Sequence, residues 1–256
     1  MTAEKEATEQ PSESAIMVSL KPEILFSIGP LPITNSMLSS TAVVVLLIVV
    51  IGLVSRRLQT VPGKLQLLFE TLIAGGYDFV QGVTHNETLT KRIFPFFMTL
   101  MLFFLTANLM NFLPGLLAVE FNGHHLYRPA VADYALVFGL TVMMFVVAQT
   151  TVIRFIGLKV YLKKYINFSS PVNFFVGLLE LVGEFARIIS LSFRLFGNIF
   201  SEEVLMLVML SLAPFIAPVP FALLGLLTSI IQALLFPMLI LLFVNVAVEE
   251  GKVQAT

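Results

Sequence analysis

The chain carries apolar runs of membrane-crossing length, and these leave few folds open to it. The runs cover about Met37 to Val54, Ile93 to Leu113 and Tyr134 to Ile153, followed by a much longer stretch beyond Pro171. They are too long for barrel strands and fit helices, which need about 20 apolar residues to cross a bilayer. Only 12% of the residues are charged and 57% are hydrophobic, against about a quarter charged in a soluble domain. The expected fold class is therefore an all-α integral membrane protein. About five membrane helices are expected, with one further helix lying on the surface.

Composition excludes several functions. A net charge of −1 gives no electrostatic footprint for nucleic acid. No cysteine is present, which removes disulfides, thiolate metal sites and cysteine nucleophiles. The histidines His85, His124 and His125 fall in expected loops, and the His124-His125 pair reads as a solvated pair rather than a metal site. Nothing resembles a phosphate-binding P-loop, so no ATP binding by this chain is expected.

The segments follow from these runs. Residues 1–36 form a polar tail without the apolar core of a cleavable signal, then a lead-in to the first span. The first membrane helix occupies 37–57. Within 58–90, Leu65, Leu68, Phe69, Leu72, Ile73, Phe79, Val80 and Val83 recur at helical spacing among polar residues. That pattern predicts an amphipathic surface helix over about 62–83, with Gly75-Gly76 as a possible break. Residues 91–158 hold the second and third spans around an external loop, and a basic loop with Arg154, Lys159, Lys163 and Lys164 follows. Basic residues near span ends stay cytoplasmic. Arg56-Arg57, Lys91-Arg92 and the 154–164 loop fall on one side, which sets the N-terminus outside and the C-terminus inside.

Residues 159–256 are expected to form a long, strongly tilted helical hairpin. From about Pro171 to Leu212 nothing breaks a helix strongly, and roughly 42 helical residues would reach about 63 Å against a hydrocarbon core of about 30 Å. Pro214, Pro218 and Pro220 are expected to form the turn, with a second helix from about Phe221 to Val248 and Glu249-Glu250-Gly251-Lys252 beyond it. The same lengths admit two ordinary spans preceded by a separate helix at about 171–186.

The first hairpin helix carries an unusual polar stripe. At about 100° per residue, Glu180, Glu184, Arg187, Arg194, Asn198 and Glu202 fall within about 80° of one another, with Glu203 about 100° further round from Glu202. Arg194 is central and permanently charged, and an arginine at mid-membrane costs about 2.5–3.5 kcal/mol on insertion scales. Such a cation either works against a mobile or opposing charge, or snorkels or pairs within the chain. Two groups of acids with a fixed cation between them form two half-paths for protons, which the cation keeps apart. Glu184 with Arg187 as a simple i, i+3 ion pair is the competing local reading. Glu202 and Glu203 also admit a purely interfacial role. On the second hairpin helix, Gln232 is placed to face Arg194, while Thr228 and Ser229 suit hydrogen bonds back to their own helix.

Ser192-Phe193-Arg194-Leu195-Phe196-Gly197-Asn198, the carboxylate that follows, Ile231-Gln232-Ala233 and the terminal Glu249-Glu250-Gly251 resemble subunit a of F-type ATP synthases, of the chloroplast-like and bacterial variety. Ile33-Thr34-Asn35-Ser36, Asn108-Leu109-Met110-Asn111 with Leu113-Pro114, and Asp133 resemble further family positions, so the likeness covers most of the chain. The resemblance implies a non-catalytic, proton-translocating stator subunit without cofactor. It implies a c-subunit ring and b-type peripheral stalk subunits as partners within the F1Fo complex, most naturally in a bacterial plasma membrane. It carries the essential cation onto Arg194, the far-side channel onto Asn198, Glu203 and Gln232, and the cytoplasmic-side channel onto Glu180. Gly225 stands where some members have a histidine, and Asn111 where some have an aspartate. The external entrance then falls to Asp133 and Glu203. The ring contact is expected on the 187–202 face, at positions such as Leu191 and Leu195. A self-contained secondary transporter is the competing class, although paired internal repeats are not evident.

Overall fold

The computed structural model describes residues 24–28, 31–56, 58–60, 62–113, 120–121, 124–125, 128–165, 171–213, 216 and 218–255. It is an all-α integral membrane fold with two short hairpins that the apolar pattern does not signal. Strands β1 (Ile24–Ile28) and β2 (Leu31–Thr34) pair antiparallel just before the first span. Strands β3 (Glu120–Phe121) and β4 (His124–His125) pair in the loop between the second and third spans. The side chains of His124 and His125 lie outside what is described.

The first span is α1 (Asn35–Arg56). The Met37 backbone N–H donates to Thr34 Oγ1 at 3.3 Å and so caps its start. Only Asn35, Ser36, Ser39 and Val43 of α1 are buried, all near one end, so this helix is peripheral. The amphipathic helix α2 (Lys64–Thr84) is continuous through Gly75-Gly76. Gly76 is there for close packing: a Cβ on it would lie 2.5 Å from Met98 Sδ. The helix ends at His85 in the left-handed conformation, φ 47°, with its N–H bonded to the Gln81 carbonyl.

The second span, α3 (Glu87–Asn111), begins six residues before its apolar run. Asn86 explains the early start, because its side chain accepts from the Thr88 and Leu89 N–H groups at 3.1 Å each. The third span, α4 (Tyr134–Ile156), is capped by Asp133, which accepts from Ala135 N–H at 3.0 Å. Gly157 closes it at φ 84°. The basic segment that follows was expected as a loop but holds a short helix, α5 (Leu158–Tyr165).

The hairpin helices are α6 (Pro171–Leu212) and α7 (Pro218–Ala255). The 42 residues of α6 form one unbroken helix, which rules out a separate lead-in over 171–186. Pro218 and Pro220 belong to the first turn of α7 and not to the turn before it. Proline is tolerated there because first-turn N–H groups have no partner within the helix. At the other end α7 continues past Val248, so Glu249, Glu250 and Gly251 are helical.

Helix α7 is the hub, packed along α3, α6 and α4 and touching α2 and α5. Phe236 and Phe104, both fully buried, meet at 4.8 Å between ring centroids. Val137, Met144, Leu195, Leu241 and Val244 fill the space between α4, α6 and α7. Lipid is as apolar as these side chains, so van der Waals fit and interhelical polar contacts hold the bundle. One such contact is Asn245 Nδ2 donating to the Val83 carbonyl at 3.0 Å, which ties α7 to the surface helix. Four helices, α1, α3, α4 and α7, are long and apolar enough to cross a membrane. The fifth long helix, α6, differs from them in carrying Glu180, Glu184, Arg187, Arg194, Glu202 and Glu203 along its length.

Candidate functional site

The packed face of α6 presents Gly177, Glu184, Ile188, Leu191, Ser192, Leu195 and Ile199 to the bundle. Apart from Glu184, the polar stripe is rotated off this face, so it runs along the seam between packed and open sides. Arg194 lies on the open side. It is exposed in the chain and has no hydrogen bond or ion pair among the described residues. Leu191 and Leu195, expected at an outer contact, are instead 9% and 0% exposed and pack inward. Helical geometry puts them some 60–100° round from Arg194.

A cleft of about 410 Å³ opens between α6 and α7 and is closed at one end by α5. Arg194 lines it together with Arg187, Glu184, Glu180, Lys164 and Glu250, among apolar side chains that include Leu239 and Phe243. Arg187 does not pair with Glu184. Its guanidinium stacks over Phe243 at 3.7 Å from the ring centroid, a cation–π contact. Glu184 is 7% exposed and turned the other way. One of its oxygens accepts from Gln149 Nε2 at 2.9 Å, and the other accepts from the Tyr165 hydroxyl. Burial, followed by the bond to Glu184, pushes the Tyr165 phenol well above its ordinary range, so it remains a donor. At the α5 end, Lys164 Nζ lies 2.8 Å from a Glu250 oxygen and 3.7 Å from a Glu180 oxygen.

The second polar group lies beyond Arg194, toward the hairpin turn. Ser229 donates its hydroxyl to Glu202 Oε2 at 3.2 Å, across the hairpin and not back along its own helix. Thr228 does bond back, to the Gly225 carbonyl at 2.9 Å. A Cβ on Gly225 would lie 2.6 Å from Glu202 Oε1, so the glycine makes room for this carboxylate. Glu203 is half-buried, and buried Arg128 is near enough for its charge to act on it. Asn108 Nδ2 donates to the Ser229 carbonyl at 2.9 Å.

Gln232 is buried but makes no hydrogen bond with Arg194; its Nε2, like Asn198 Nδ2 and Asn108 Oδ1, has no hydrogen-bond partner among the described residues. Three orphan amide atoms in one region mark a polar interior, since each costs about 1–3 kcal/mol if left dry. Asp133 is occupied as the α4 cap. Asn111 ends α3, half-buried.

Gln149, Tyr165, Asn108 and Ser229 were not expected among these groups. Gln149 and Asn108, as amides within apolar spans, carried a readable signal; Tyr165 carried none. No grouping of three or more metal-ligating side chains occurs among the described residues.

Fold and site define a polytopic helical membrane protein with a polar path along one long helix. The model of the family described as ATP synthase A chain matches residues 37–245. ATP synthase subunit a of Geotalea daltonii is 34% identical over 212 residues, covering 82% of this chain and 85% of that protein. The Legionella pneumophila subunit a (strain Corby) is 32% identical over 231 residues, covering 90% and 93%. That of Moorella thermoacetica is 29% identical over 228 residues, covering 89% and 97%. The chain belongs to the ATP synthase A chain family.

Proposed function

We propose that this chain is the non-catalytic, proton-conducting stator subunit of the membrane sector of an F-type ATP synthase. It works against a ring of c subunits, is held by b-type peripheral stalk subunits, and sits in a bacterial plasma membrane with its N-terminus outside and C-terminus in the cytoplasm. The observation that carries the reading is Arg194, a permanent cation that lines an open cleft and has no ion pair or hydrogen bond among the described residues. A charge so placed needs a counter-charge from elsewhere. A carboxylate on a passing ring helix supplies one transiently.

Protons from outside reach the ring carboxylate along Asn198, Glu203, Gln232 and Glu202, with Asp133 and Asn111 near the mouth. Water satisfies the orphan amides on this route. The protonated carboxylate travels round through lipid and returns on the other side of Arg194. There the cation favours its ionised form, and the proton leaves through the cleft past Arg187, Glu184 and Glu180. Arg194 repels protons that would pass directly between the two routes. The small residues Gly183, Ala186, Ser190 and Ser201 are exposed on the Arg194 side of α6, which suits close approach of a partner helix. At about 63 Å, α6 cannot stand upright in a core of about 30 Å and lies strongly tilted, along the curve of the ring.

The test is reconstitution of the purified chain in vesicles with and without the c ring. Proton conduction that requires the ring supports the reading. Solute or ion movement by the chain alone would make it a self-contained transporter instead.

A further inference from the structure

The route just proposed makes no use of α5, although this short helix closes one end of the cleft. Its last two residues are Lys164 and Tyr165. Lys164 sits between Glu250 of α7, at 2.8 Å, and Glu180 of α6, at 3.7 Å. Tyr165 donates to Glu184. Two consecutive side chains therefore engage all three acids that line the cleft.

The backbone is fitted as closely as the side chains. A Cβ built on Gly177 of α6 would run into the Tyr165 carbonyl oxygen. On the other flank, Gly251 of α7 packs on Ile156, just before α5, with 2.7 Å between its would-be Cβ and the Ile156 side chain. A helix of eight residues is too short to be stable by itself. Gly177 seats the end of α5 directly, Gly251 seats the end of α4 that leads into it, and from that seat Lys164 and Tyr165 reach the acids.

We propose that α5 is the positioning element of the exit route, with Lys164 and Tyr165 fixing where Glu180, Glu184 and Glu250 stand and so how readily protons pass the mouth of the cleft. This rests on the stator reading above. The two residues act through the acids, and neither touches the ring. Lys164 supplies one positive charge shared by two carboxylates, which keeps them near each other without neutralising both. Tyr165, with Gln149, holds the third against the wall. Without these anchors the acids repel one another and swing into solvent.

The experiment uses the whole complex in inverted membrane vesicles, whose outer face is the cytoplasmic one. ATP-driven proton uptake is measured per assembled complex across a range of outside pH. Lys164→Gln, Tyr165→Phe and Gly177→Ala are compared with wild type, Lys164→Arg and Arg194→Ala. The expected result is a several-fold loss of uptake per complex in the first three, with a displaced pH profile, and near-wild-type rate and profile in Lys164→Arg. Gly177→Ala is informative because alanine favours helix over glycine, so its loss would not come from a weakened α6. If the three variants reduce only the amount of assembled complex, while rate per complex and pH profile stay wild type, α5 is a strut and the inference falls. Wild-type uptake in Arg194→Ala would instead overturn the stator reading itself.

Discussion

Glu202 occupies the space that a side chain at Gly225 would fill, with its Oε1 2.6 Å from where a Cβ would stand, while Oε2 takes a hydrogen bond from Ser229. The two positions are one steric unit across the hairpin. Gly225→Ala should therefore displace the Glu202 carboxylate and break the Ser229 bond. ATP synthesis in vesicles is expected to fall several-fold, although alanine adds about 1 kcal/mol of helix propensity. Adding Glu202→Gly should relieve the crowding and separate its steric part from the loss of the acid. Unchanged synthesis in Gly225→Ala would show that Glu202 moves freely without consequence.

Arg194→Ala should abolish coupled ATP synthesis while the chain still inserts, because a midplane arginine opposes insertion by about 2.5–3.5 kcal/mol. Arg194→Lys should fail nearly as badly. Lysine is a compact, titratable charge without the planar fork of the guanidinium. Synthesis and immunodetected membrane content are measured together; wild-type rates in either variant would remove Arg194 from its role.

Cysteines placed singly at 198, 203 and 180 should react with an impermeant thiol reagent from opposite faces. The native chain contains no cysteine, so the background is clean. Reaction at 198 and 203 is expected from outside and at 180 from the cytoplasmic side. The reverse pattern would invert the two routes.

The ring contact should map to exposed positions beside Arg194. Ser190→Cys and Ser201→Cys are expected to crosslink to the ring helix that bears the carboxylate. Leu191→Cys and Leu195→Cys should crosslink to α4 or α7 of the same chain, because both face inward. Ring crosslinks at Leu195 and none at Ser190 would mean that α6 is rotated in the complex.

The long elements of this fold were legible because apolar runs and helical spacing report length and period directly. The number and approximate position of the spans, the amphipathic helix and the length of α6 follow from that signal. Spacing tells which residues share a face but not what that face meets, which is why Leu191 and Leu195 were placed outward. Glu184 looked like half of an ion pair with Arg187 for the same reason. Its actual partners, Gln149 and Tyr165, come from helices 35 and 19 residues away in sequence. Helix α5 was illegible because tertiary docking at Gly177, and not local pattern, stabilises it. The early start of α3 turned on a single cap, Asn86.

Because α6 is one rod without a hinge, it behaves as a ruler. Glu180 and Glu203 stand about 35 Å apart along its axis, and Arg194 keeps about 21 Å from the first and about 14 Å from the second. That separation is far beyond hydrogen-bond reach, so neither acid hands a proton directly to the other. In the proposed stator the chain is then the fixed scale, and displacement along it would belong to the ring. On the proposed function, a machine built on such a part should leak little at rest, since its two terminals would be joined only when something else moves past them.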